Sequence, residues 1–477
     1  FMQDEENSSL YNLFMAFLNI AKIKVKWTVI QDEKTWKRLI ALYIGHYMEI
    51  NIRAIKDEEN RLSLVAGTPG ASETRHLEYT VGNEIFKDLL IVEFDYKNII
   101  NDSNIKLENI LFGEVWVCSG QSNMRMPLRG FTGQPTFEGN SAIANSRNNN
   151  IRLFSITENG SPTPLDTVVN YKKWNVASPE NTKDFSAVGY FYAQKLQEIL
   201  DVPVGIVMTS WGGTRIQPWI SKDAVTPFLD INKVKKDTTE KYKRIPSAIF
   251  NAMINPITSY TIKGVIWYQG ETNRDEPKLY QQLLPEMVKD WRKQWNIGEF
   301  PFYYVQIAPN KYIDKANSQY LREAQLKALD IIPNSGMAVL SDIGSEQTIH
   351  PPHKKEVAER LLFLALNKTY GFKEVDCIGP IYKSMEAKEG ALFLNFNFAE
   401  TGIYSPEMEV SNFEIAGADK VFHPAKALII NRKQVKVFCP EVTEPVAVRY
   451  GWSNWFVGTL FDNNMLPVSS FRTDNWE

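Results

Sequence analysis

Four short stretches of this chain hold the residue types that acyl transfer requires. The first is Ser119-Gly120-Gln121-Ser122-Asn123, a tight small-residue turn directly after the apolar run Val115-Trp116-Val117-Cys118. β-Branched and aromatic residues favour a strand there, and Gly120 gives the backbone freedom to bend. A serine hydroxyl on such a turn, among backbone N–H groups, stands where a nucleophile is needed. The second stretch, Thr209-Ser210-Trp211-Gly212-Gly213-Thr214-Arg215, follows the apolar run 204–208. Paired glycines let backbone N–H groups come close to a ligand, as an oxyanion hole requires. The third, Tyr268-Gln269-Gly270-Glu271-Thr272-Asn273, sets two amides and a carboxylate around one glycine. An amide can donate to an oxyanion, and a carboxylate can orient a histidine. The fourth, residues 341–352, carries His350 just ahead of Pro351 and Pro352, and proline suits the first turn of a following helix. The chain has only five histidines (His46, His76, His350, His353, His423), so candidates for a general base are few. His353 falls within that first helical turn and reads as solvated or structural. Taken singly, each of the first three stretches reads as well or better as an ordinary turn.

The elements around these stretches form a regular pattern. Amphipathic helical segments at 186–200, 277–295, 321–329 and 354–370 alternate with short apolar runs at 204–208, 260–268, 302–307 and 336–340. Repeated βα units with near-continuous apolar strands imply an α/β fold, a parallel sheet covered by helices on both faces. Ligands of such sheets bind beyond the carboxyl ends of the strands, where all four stretches would lie. This domain would span 109–375. Residues 1–108 read as a β-rich amino-terminal domain, with strands within 39–55 and at 89–94. Residues 376–477 lose the helical period and carry strands at 391–396, 426–430, 434–438 and 446–450, as a small β-sandwich would. A chain of 477 residues is longer than one compact domain usually is, in keeping with three.

Composition excludes several classes. Net charge is −3 with acids and bases interspersed, so nothing favours nucleic acid or an anionic membrane as partner. No apolar run reaches the roughly 18 residues of a membrane span. The apolar segment 10–20 lacks basic residues before it and a cleavage site after it, and reads as folded protein rather than a signal peptide. Cys118, Cys377 and Cys439 are spaced too widely for a metal site, and they leave room for one disulfide without indicating it.

Together, residues 118–124, 210–214, 264–273 and 349–351 resemble the blocks of sialate 9-O-acetylesterases within the SGNH hydrolases, and the terminal stretches 413–424 and 471–476 are similar to that family as well. The resemblance covers about 110–477. It implies that Ser122 is the nucleophile and His350 the general base. The backbone N–H groups of Ser122 and of Gly212 or Gly213, with the side-chain amide of Gln269, would form the oxyanion hole. Gln121, Asn123, Trp211, Arg215 and Asn273 would line the sugar. The mechanism so implied calls for no metal or organic cofactor.

The chain departs from the family pattern in two places. Many SGNH hydrolases carry the acid three residues before the histidine, where this chain has Gln347. Asp342, in the same loop as His350, is the favoured acid, with Glu271 from the third stretch as co-candidate. Arg125 stands where relatives carry an acidic residue and would alter the charge of the pocket. Arg125 and Arg215 could attract the carboxylate of a sialic acid, which makes 9-O-acetylated sialic acid the first substrate expected. An acetylated plant polysaccharide such as xylan or pectin is the alternative. A glycan-binding protein using exposed aromatics such as Trp452 and Trp455 is a reading of another class, but such a module has no need of a nucleophile–base pair. The start at Phe1 and the likeness to glycan-degrading enzymes lead to an expectation of a periplasmic or secreted protein.

Overall fold

The structure, a computed structural model, describes residues 111–228, 242–314 and 316–476, together with five strand segments between residues 25 and 110. Seven strands build the central sheet: β1 (Glu114–Gly120), β2 (Asn148–Ile156), β3 (Tyr171–Ala177), β4 (Val204–Ser210), β5 (Gly264–Tyr268), β6 (Phe302–Val305) and β7 (Ser335–Ala338). Their spatial order is β7-β6-β5-β1-β4-β2-β3, parallel throughout except for β3, which runs antiparallel to β2 at the edge. Strand β1, which leads to Ser122, is therefore central, between β4 and β5.

Successive side chains of a strand point to opposite faces, and both faces here are apolar. Trp116, Cys118, Ile266, Tyr268 and Tyr303 pack on one side with helices α1 (Ala187–Leu200) and α4 (Lys354–Lys368). Val117, Val265, Trp267, Phe302 and Tyr304 pack on the other with α2 (Pro277–Trp295) and α3 (Ser318–Lys327). A run that is apolar at every position is the signature of a sheet buried on both sides. Strands β2 and β3, which the reading of the sequence did not expect, extend the sheet beyond β4.

Ahead of this sheet, Val25–Trp27, Ile50–Lys56 and Leu62–Gly67 form a three-stranded sheet, and Val92–Lys97 pairs antiparallel with Asn104–Ile110. Both strand regions expected before residue 100 overlap these segments, whereas the apolar segment 10–20 lies outside the described residues. After α4 comes a seven-stranded antiparallel sheet whose long strand Phe422–Ile430 is shared by two halves. Its opposite edges meet, because Tyr382 of the first strand stacks on Phe471 of the last with ring centroids 4.9 Å apart. The result is a closed apolar core between the halves, as in a sandwich.

This β region leans on the loops of the central sheet. The Arg322 guanidinium, buried on α3, donates to Ser470 Oγ (3.0 Å), Ser318 Oγ (2.9 Å) and the Gly451 carbonyl (3.3 Å). Gly458 N–H donates to the Ser341 carbonyl, and the Ser341 hydroxyl donates to the Val468 carbonyl. The loop that leads to His350 is thus anchored from outside the α/β layer. Cys118, Cys377 and Cys439 are all free thiols. Among the described residues, no helix is long and apolar enough to cross a membrane.

Candidate active site

The first three stretches converge because their strands are neighbours. Gln121 N–H donates to the Tyr268 carbonyl, and Trp211 N–H donates to the Gly120 carbonyl, so the ends of β1, β4 and β5 are tied together. Gly120 has φ +136°, and a Cβ there would sit 2.1 Å from the Tyr268 carbonyl oxygen, so no other residue fits the bend. Ser122 opens a short helix, Ser122–Arg125, just beyond it. Gly212 faces Ser122 so closely that a Cβ would lie 3.3 Å from the serine's own. Among the described residues no protein acceptor meets the N–H of Ser122, Gly212 or Gly213.

His350 comes from the end of β7, two strands away from β5, and the long loop 339–353 carries it back across the sheet. Its Nε2 lies 2.7 Å from Ser122 Oγ. The ring is half-buried, packed edge-on against Phe131 at 5.2 Å. Burial lowers its pKa to about 4, and the Lys354 ammonium adds to the depression.

The structure brings neither candidate acid to His350. Asp342 is held by Arg360 of α4 through two bonds, 2.7 Å to Oδ1 and 2.6 Å to Oδ2, a bidentate pair that engages both carboxylate oxygens. Glu271 accepts from Asn123 Nδ2 at 2.6 Å, and its second oxygen is buried without a partner. The Nδ1 atom of His350 instead meets the side-chain oxygen of Gln134, at 2.6 Å. Gln134 was not anticipated. It sits in the turn Phe131–Gln134, where each end residue's N–H donates to the other's carbonyl, and nothing about an amide between Gly133 and Pro135 marks it as a histidine's partner. Asp342→Asn is expected to lower turnover by no more than about tenfold, because the carboxylate is bonded to a helix arginine and not to His350. Single-turnover rates on one acetyl ester check this, and a loss of several orders of magnitude would return Asp342 to the catalytic unit.

The amides expected to face substrate are occupied elsewhere. Gln269 Nε2 donates to the Thr214 carbonyl (3.1 Å) and to Asn273 Oδ1 (2.8 Å), so it does not complete the oxyanion hole. Asn273 is fully buried and also accepts from Ile216 N–H and donates to Gln217 and Glu276, which braces the glycine-pair loop rather than the sugar. Gln121 is buried, its side-chain oxygen accepting from Gly270 N–H and the Thr272 hydroxyl, each at 3.4 Å. Arg215 is paired with Asp275 and Glu276, each at 2.6 Å, and Arg125 with Glu158 at 2.8 Å. Trp211 is half-buried beside the glycine pair, with the Lys243 ammonium 5.9 Å from its ring centroid.

Beside Ser122 lies a buried polar network centred on Asn123. Asn123 Nδ2 donates to Glu271 and to the Ile349 carbonyl (3.0 Å), and its Oδ1 accepts from Lys354 Nζ at 2.6 Å. Burial lowers the Lys354 pKa to about 7 against the opposing pull of Glu271. Burial likewise raises that of Glu271, opposed by the Asn123 hydrogen bond and by Lys354. Among the described residues no cluster of three His, Cys, Asp or Glu side chains could hold a metal ion.

Residues 112–359, just over half of the chain, match the family model described as a carbohydrate esterase, sialic acid-specific acetylesterase. The chain belongs to this carbohydrate esterase family. Similar proteins include the sialate O-acetylesterase of Mus musculus, 28% identical, with 77% of this chain and 78% of that one covered. The Homo sapiens sialate O-acetylesterase is 27% identical, with 74% and 72% covered. Among solved structures, a carbohydrate acetylesterase from Xanthomonas citri superposes with a TM-score of 0.73 at 32% identity, covering 87% of this chain and 91% of that one. The family is thus a family of esterases, and the convergence of β1, β4, β5 and the 339–353 loop falls inside the matched span.

Proposed function

We propose that this esterase is a serine hydrolase of the SGNH type that removes O-acetyl groups from sugars through Ser122 and His350. The contact of 2.7 Å between His350 Nε2 and Ser122 Oγ carries the reading. His350 takes the Ser122 proton, and the oxygen so activated attacks the acetyl carbonyl. The resulting oxyanion accepts from the N–H groups of Ser122 and of Gly212 or Gly213. Collapse expels the sugar oxygen, which takes the proton back from His350. Water then enters, gives a proton to His350 and releases acetate from Ser122, restoring the hydroxyl.

The substrate we favour is 9-O-acetylated sialic acid, on the strength of the family description and of relatives named sialate O-acetylesterase. A neutral acetylated polysaccharide is a second reading, favoured by one observation: Arg125 and Arg215 are both paired with carboxylates and are not free to meet a sugar carboxylate. Acetate release measured across 9-O-acetyl sialic acid, acetylated xylan and acetylated pectin separates the two. The sialic acid reading predicts the highest kcat/KM on the first, and it falls if a neutral glycan is preferred.

The low pKa of His350 also sets the pH profile. The base must be neutral, so kcat/KM on free enzyme is expected to stay level through pH 6.5 and to fall as pH drops through about 4. An acid limb at the ordinary imidazole value of about 6.5 would count against the buried setting of the ring.

A further inference from the structure

The oxygen of Gln134 is shared by two donors. The Thr348 hydroxyl gives its one proton to Gln134 Oε1 at 2.9 Å, and itself accepts from His350 N–H at 3.1 Å. The same oxygen meets His350 Nδ1 at 2.6 Å. An acceptor at this place puts the imidazole proton on Nδ1 and leaves the Nε2 lone pair toward Ser122, which is the tautomer a base requires. The turn holding Gln134 and the residues just after it pack on the histidine loop and the start of α4 at several further points. Phe131 lies against the imidazole, Phe137 lies edge-on to His353, Phe137 N–H donates to the Pro352 carbonyl, and Glu138 pairs with Lys355.

We propose that Gln134 is the positioning residue of the catalytic unit, an amide that fixes the His350 tautomer in the place usually held by a carboxylate. The proposal rests on the Ser122–His350 reading above. A carboxylate and an amide oxygen both accept Nδ1–H, but only the carboxylate lends the imidazolium a counter-charge. With an amide there, protonation of His350 is resisted, and the base stays neutral in acid at the cost of a less stabilised imidazolium in the transition state. The other charged groups packed around the ring do not replace that counter-charge. On its own loop, Asp342 and Glu346 are paired with Arg360 and Lys311. On α4, Lys354 is cationic when protonated and disfavours the imidazolium, while His353 contacts Glu356 and Lys355 is paired with Glu138 of the neighbouring turn. Glu271, from the third strand end, is engaged through Asn123, and Arg125 of the nucleophile turn is paired with Glu158.

The test compares Gln134→Ala and Gln134→Glu with wild type in kcat, KM and acid limb, with Ser122→Ala and His350→Ala alongside. Gln134→Ala is expected to lose about 10–100-fold in kcat with KM changed by less than about threefold. Gln134→Glu is expected to recover kcat to within about tenfold and to move the acid limb up by at least about one pH unit, because it adds the missing charge. Nitrogen NMR of His350 in the Ser122→Ala protein, which needs no Gln134 variant to fold, should show the proton on Nδ1. A Gln134→Ala enzyme with wild-type kcat, a Gln134→Glu limb that does not move, or a proton on Nε2 overturns the proposal. Activity retained by Ser122→Ala or His350→Ala would instead overturn the underlying serine–histidine reading.

Discussion

Ser122→Ala is expected to lower acetate release by about 10⁶-fold while leaving the protein folded. The two parts of that expectation have separate causes. The hydroxyl is the side-chain group that would react, and it lies 2.7 Å from His350 Nε2. Its backbone stays fixed by Gly120, which no side chain can replace, and by the bond from Gln121 N–H to the Tyr268 carbonyl. Losing one half-buried hydroxyl on a turn costs no more than about 1 kcal/mol. Residual turnover would come from the backbone N–H groups that still receive the oxyanion. Acetate release and thermal melting of the same preparation check both parts. A folded variant at wild-type turnover would move the nucleophile to another residue.

The sequence made the scaffold legible wherever packing is reported by pattern. Trp116 and Cys118 alternate with Val117 between two cores, so the run is apolar at every position, and its reading as a buried strand follows. The helix 277–295 is bounded by Pro277 at its start and by Asn296 in the left-handed region at its end, and both limits were readable. Strands β2 and β3 were not, because β2 opens on three asparagines and β3 carries Tyr171-Lys172-Lys173 on an exposed edge, where lysines guard against further pairing. Within the candidate site, the places of Ser122, the glycine pair and His350 beyond strand ends could be read because each follows an apolar run. The acid could not. Sharing a loop with His350 says nothing of which way Asp342 points, and Arg360, far along the next helix, claims it. Gln269 stands at the right strand end, but Thr214 and Asn273 claim its N–H groups. An amide partner such as Gln134, on a turn of ordinary loop residues, leaves no mark in sequence.

The buried network around Asn123 leads to the largest expected change in stability. Lys354 is wholly buried and Glu271 nearly so, and Asn123 bridges them while also holding the Ile349 carbonyl next to His350. Removing one partner of a buried charge pair strands the other, which typically costs about 3–5 kcal/mol, whereas removing both together costs far less. Lys354→Met and Glu271→Gln should therefore each be destabilising by about that amount, and the double variant should be much less so than their sum. The single variants should lose turnover as well, since Asn123 then no longer fixes Ile349, the residue before His350. The pH dependence carries an independent sign. The folded pKa of Lys354, about 7, lies below its ordinary 10.5, so the unfolded chain binds more protons between those values and wild-type stability gains from this group as pH rises from 7 to 10.5. Lys354→Met should lack that gain. Urea unfolding of the four proteins at pH 7 and pH 9 measures both effects. Strictly additive losses, or the same rise with pH in Lys354→Met as in wild type, would show that Lys354 and Glu271 do not act as a pair and that the Ser122 turn rests on something else.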